Sequence, residues 1–71
     1  MSLSLEETKL VGLTMKLNLK AKEYKELCKE LDELEQQGID PNDERLRPLL
    51  SKFKQNNSEI KSIKRQLHAL Q

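Results

Sequence analysis

Tryptophan is absent from this chain, and among its 71 residues there is one tyrosine, one phenylalanine, one cysteine, one histidine, two glycines and two prolines. Each shortage excludes something. With so few aromatics and turn residues, and with charged residues at 35% and hydrophobic residues at another 35%, the composition is that of a long helix or coiled coil and not of a sandwich or barrel. Cys28 stands alone and cannot close an intramolecular disulfide, which agrees with a reducing, cytoplasmic setting. No apolar run approaches the roughly 20 residues that cross a bilayer. The opening residues, "MSLS", lack the basic region and apolar stretch of a secretory signal, and carry no functional weight.

Also missing are a glycine-rich phosphate loop and a catalytic serine motif. The acids that crowd the middle of the chain, from Glu30 to Glu44, do not follow the order of a calcium-binding loop. They form a solvated acidic tip, partly neutralised by Arg45 and Arg47. No enzyme, no cofactor, no metal and no small-molecule substrate is expected.

What is present is a pair of heptad patterns. Ser4 followed by Glu7 fits a capping box and predicts a helix start. Leu10, Leu13, Leu17, Tyr24, Leu27, Leu31 and Leu34 then occupy a and d sites, broken only by Lys20, so the first helix runs over about 5–36. "QQGID" ends it: Gly38 takes the left-handed conformation and Ile39 folds back on Leu34. After a turn at about 37–43, Asp40 and Pro41 resemble a fresh cap and first helical residue. The second helix is expected over about 44–70, kinked or restarted near Pro48. It carries Leu46, Phe53, Ile60 and Leu67 at one seven-residue spacing and Leu49, Asn56, Ile63 and Leu70 at another.

The two registers match. Antiparallel neighbours joined at a turn have facing residues whose numbers total a constant, and here every layer totals 80, from Leu34 with Leu46 out to Leu10 with Leu70. In this register Tyr24 faces Asn56, with a hydrogen bond expected between them. Lys20 lays its stem on Ile60 and extends its amine to water. The expected fold is an all-α, antiparallel two-helix coiled-coil hairpin, residues 1–71 forming a single unit. Because a chain this short buries only about 60% of its unfolded surface, completion to a four-helix bundle by dimerisation or by a partner is expected. The register also keeps Cys28 and His68 apart, which leaves no Cys–His pair. Cys28 reads as a half-buried small hydrophobe and His68 as a solvated residue of the last turn.

"LTMKLNLK", residues 13–20, places an apolar residue at every second position. A strand there has no mate in the chain. On a helix it resolves into two stripes: Leu13 and Leu17 join the seam, while Val11, Met15 and Leu19 fall about 100° to 180° from Leu10. These three, with Leu5, form an apolar strip the hairpin does not cover, and they are the expected partner-binding residues. Ala21, Cys28, Leu50 and Thr14 flank the seam and offer further contacts.

Charge is segregated under a net +1: residues 1–35 hold six Lys and eight acids, and residues 36–71 hold seven Lys or Arg and four acids. Lys52, Lys54, Lys61, Lys64 and Arg65 of the second helix read as spread around it. A basic face of Lys54, Lys61, Lys64 and Arg65 toward nucleic acid is the alternative function. It is the less favoured one, since no exposed aromatic is available for stacking.

"YKELCKELDELEQQGI" followed by "LRPLLSKFKQNNSEIKSIKRQLHAL", residues 24–70, resembles the central helical pair of bacterial flagellar export chaperones, through Tyr24, Ile39, the Asn57 region, Leu67 and Leu70. That resemblance implies an all-helical fold and a chaperone-like role toward a protein client. By layout alone the chain is also similar to the short hairpin that dimerises into a four-helix bundle to bind RNA in plasmid copy-number control. The function expected overall is that of a non-enzymatic protein–protein interaction module, an adaptor, chaperone or assembly factor. Its partner is a second copy or another helical protein, with no membrane involved.

Overall fold

The computed structural model describes residues 2–70; the ends of the expected unit, Met1 and Gln71, lie outside the described residues. Two helices, α1 (Leu5–Gln36) and α2 (Leu46–Ala69), pack side by side as a hairpin with extents of 54 × 20 × 15 Å. The expected all-α hairpin is the fold observed.

Local chemistry explains where α1 starts and stops. Ser4 is extended, its Oγ accepts a hydrogen bond from the Glu7 N–H at 3.1 Å, and its own N–H donates to Glu7 Oε1 at 3.2 Å. Two amide donors that the helix cannot satisfy are met reciprocally. Glu6 and Glu7 also place negative charge at the positive end of the helix dipole. At the other end Gly38 adopts φ 73°, a conformation a Cβ would disfavour. The Ile39 N–H then reaches the Leu34 carbonyl at 3.2 Å and the Gly38 N–H the Glu35 carbonyl at 2.9 Å, the paired bonds of a Schellman ending.

The entry to α2 differs from the expectation. Asp40 does not cap a helix opening at Pro41. Its Oδ1 accepts the Asn42 N–H at 2.8 Å and its carbonyl accepts the Asp43 N–H at 2.9 Å, closing a tight turn. Asp43 repeats the device: Oδ1 accepts the Arg45 N–H at 2.9 Å and the carbonyl accepts the Leu46 N–H at 3.1 Å. Two aspartate-led turns thus carry the chain around, and α2 begins at Leu46, two residues later than expected. Pro48 becomes the third helical residue. Amides of the first turn have no intrahelical acceptor, so its missing N–H disturbs nothing and α2 continues unbroken to Ala69.

The seam is thin. Leu27, Leu49 and Ile63 are the buried apolar residues among those described, with Asn56 buried beside them. Tyr24 and Phe53 meet edge to face across it, ring centres 5.5 Å apart and planes at 80°, a contact worth about 0.5–1.5 kcal/mol beyond its area. This pair, and the contacts of Lys20 with Asn56 and Glu59, lie within one helical turn of the expected register.

Candidate interaction surface

Heptad letters define the two sides of the hairpin. With Leu10 and Leu46 as a positions, the order around each helix is c, g, d, a, e, b and f. Three shallow grooves run along one side, and every residue lining them is a c, g or d position. That side is therefore the c/g side of both helices, and the opposite side is the e/b side of both. Toward the loop the c/g side is polar, with Glu23, Glu26, Glu30, Lys52 and Glu59 around the groove. Toward the termini it turns apolar, with Gly12, Leu13, Ala69 and Leu70 between Lys9 and Lys16.

One polar network ties the helices together. The Asn56 amide, 4% exposed, donates from Nδ2 to the Lys20 carbonyl at 3.2 Å and to Glu23 Oε2 at 3.4 Å, while its Oδ1 is buried with no donor in reach. The expected Tyr24–Asn56 hydrogen bond is absent because Tyr24 turns its ring onto Phe53. Nor does the Lys20 amine end in water: it bridges Glu23 at 3.2 Å and Glu59 of the facing helix. Glu59 also accepts from Gln55 Nε2 at 3.2 Å.

These pairings shift titration. The Lys20 amine holds its proton above the usual lysine range, first through Glu59 and then Glu23. The Lys20 ammonium, and then Gln55, lower the Glu59 carboxyl, and the hydrogen bonds from Ser4 lower Glu7. Asp43 is lowered by Arg45, whose Nε and Nη2 donate to it at 3.2 and 3.1 Å. A depressed carboxylate contributes stability above its unfolded pKa and loses it as pH falls through the folded value; a raised lysine contributes below its unfolded pKa and loses it as pH rises through the folded one. Thermal melts are therefore expected to show a flat Tm between about pH 5 and 10, falling on further acidification. Glu59→Gln should flatten part of the acid limb, and an unchanged limb in that variant would remove Glu59 from the account.

The expected partner strip stands free. Leu5, Val11, Met15 and Leu19 are 73%, 47%, 66% and 57% exposed. Val11, Met15 and Leu19 step along the outer side of α1 at four-residue intervals, the inclined ridge that helices pack into one another's grooves. Leu19 reaches the c/g side and lines a groove beside Ile63. The alternative basic face is more compact than expected. Lys52 belongs to the c/g side with Gln55 and Glu59, whereas Lys54 and Lys61 are b positions, Lys64 is an e position and Arg65 an f position. Four of the five cations thus share one arc, and their spread around α2 is corrected to a single basic side. Heptad lettering of the sequence already contained that signal.

Among the described residues no three His, Cys, Asp or Glu side chains gather as a metal-binding group. Cys28 is half-buried on the e side of α1, and His68 is exposed in the last turn of α2. No described helix is long and apolar enough to cross a membrane. No protein-family model, curated protein or solved structure matches the chain.

Proposed function

We propose that this hairpin is a non-enzymatic interaction module of the cytoplasm that associates, with itself or with another helical protein, through Leu5, Val11, Met15 and Leu19. The supporting observation is the outward strip on α1 beside a seam that buries so few apolar side chains of its own. Covering three such side chains favours association by roughly 1.5–3 kcal/mol each before entropic costs. A four-helix bundle of two hairpins is one product of such association, and a chaperone-like grip on a helical client, as the flagellar resemblance implies, is another. Nucleic-acid binding has less behind it: Tyr24 is 39% exposed, against the expectation that no aromatic would be, but its ring packs edge to face on the half-buried Phe53 and offers one aromatic where single-strand binding stacks successive bases.

Sedimentation equilibrium of the wild type and of Met15→Glu tests the self-association arm. The expected result is a concentration-dependent dimer whose association constant drops at least tenfold in the variant. A wild type that stays monomeric at the highest attainable concentration removes the homodimer.

A further inference from the structure

The seam is not evenly covered, and the uneven side points to a second surface. Among the described residues the four that are buried, Leu27, Leu49, Asn56 and Ile63, are d positions toward the middle of the seam, and the other d residues of the seam, Leu13, Lys20, Leu34 and Leu70, are half-buried or exposed; no a residue of either helix is buried, and Tyr24 is 39% exposed. Side-chain length accounts for this. Next to d stand the long g residues, such as Glu23 and Glu59, which reach the d residues Lys20 and Asn56. Beside a over the middle of α1 stand Thr14, Ala21 and Cys28, too short to cover it; the longer e residues Glu7 and Glu35 lie near the helix ends. The a row of α1 therefore opens onto the e/b side as one apolar ridge, and across from it the half-buried a residues Phe53 and Ile60 of α2, with Leu50, which is 52% exposed, form a second. On α1, short e residues beside the longer a residues Leu17 and Tyr24 offer the spacing that knobs of a further helix enter.

Charge identifies the occupant. Over residues 14–29 and 50–68 the e and b positions include Lys25, Lys54, Lys61 and Lys64 and no acid, and none of these four amines has a carboxylate within 4 Å among the described residues. The acids of the same stretch, Glu23, Glu26 and Glu59, lie on the other side. A second copy docking here would bring like charge against like. A helix with an apolar stripe flanked by Asp and Glu meets both the ridges and the rim. We propose that the a/e face docks an acidic amphipathic helix of another protein, forming a three-helix bundle with the hairpin. This surface meets the α1 strip only at Val11, a b position, and the proposal does not depend on the strip.

The test uses the full chain and two synthetic helical peptides with the same Leu stripe, one flanked by Glu and one by Lys, in calorimetric titration. The expected result is at least tenfold tighter binding of the Glu peptide, a gap that narrows as salt rises. Leu50→Glu, an exposed substitution checked for helicity by circular dichroism, should weaken that binding at least tenfold, and Lys61→Glu with Lys64→Glu should reverse the preference. Met15→Glu should leave it unchanged, which separates this surface from the strip. Equal affinity for the two peptides overturns the proposal, as does binding indifferent to Leu50→Glu. So do a dimer that dissolves in Leu50→Glu, and a hairpin that ignores the Glu peptide while retaining single-stranded RNA or anionic vesicles.

Discussion

Replacing Asn56 by Leu is expected to raise the melting temperature. The amide costs stability as it stands, since a buried acceptor left without a donor forfeits about 1–3 kcal/mol of solvation and Oδ1 has no partner. Its two donated bonds do not need it: the Lys20 carbonyl sits inside α1, where the helix supplies a donor, and Glu23 retains Lys20 and solvent. Leu therefore fills the layer and orphans nothing, for a gain of about 1–3 kcal/mol, or roughly 4–8 °C per kcal/mol in a domain of this size. Asn56→Asp is expected to do the reverse. It sets a third carboxylate around the single Lys20 ammonium and against Glu23, with several degrees lost at pH 7. Relative to wild type, that loss should shrink as pH falls below about 4, where the new group is protonated in both states. Denaturant and thermal unfolding of the three proteins measure it. A lower Tm in Asn56→Leu would show that the amide's cross-helix bonds outweigh its burial.

Ile63→Ala is expected to bring the hairpin close to unfolding. Truncating a buried Ile costs about 2–5 kcal/mol through lost transfer energy and the cavity left behind. A domain of this length draws only about 3–5 kcal/mol of stability from its core. Ile63 is one of three buried apolar residues among those described, and Leu49→Ala should behave the same way. The exposed Leu50→Ala should change stability by less than about 1 kcal/mol. Melts followed at 222 nm distinguish the cases. A sharp transition within a few degrees of wild type in Ile63→Ala would mean that something other than the α1–α2 seam holds the hairpin, such as a second copy covering it.

Much of the fold was legible because its causes are local. The Ser4–Glu7 box and the Gly38 ending each act over three to six residues, and the heptads record burial at a spacing that only a helix produces. Their agreement across one turn brought the register to within about one helical turn of the contacts that Tyr24 and Lys20 make with α2. What misled were Asp40 and Pro48. Aspartate caps helices and opens turns with the same carboxylate, and the sequence holds two of them three residues apart. Whether Pro48 falls in the first turn or the interior depends on which aspartate takes which task, and here both opened turns. The strip of Leu5, Val11, Met15 and Leu19 was legible for the reason the seam was, as a departure from it at helical spacing.

The sequence by itself determined two helices and the place where the chain reverses, since each follows from near-neighbour geometry and period. Only the tertiary structure decided that Asn56 pairs with a backbone carbonyl of α1 and not with Tyr24, that Lys20 bridges two carboxylates, and that burial falls on d positions while no a residue is buried. Those outcomes depend on how far each side chain reaches across a gap between helices. That distance exists only once the two helices have been brought together.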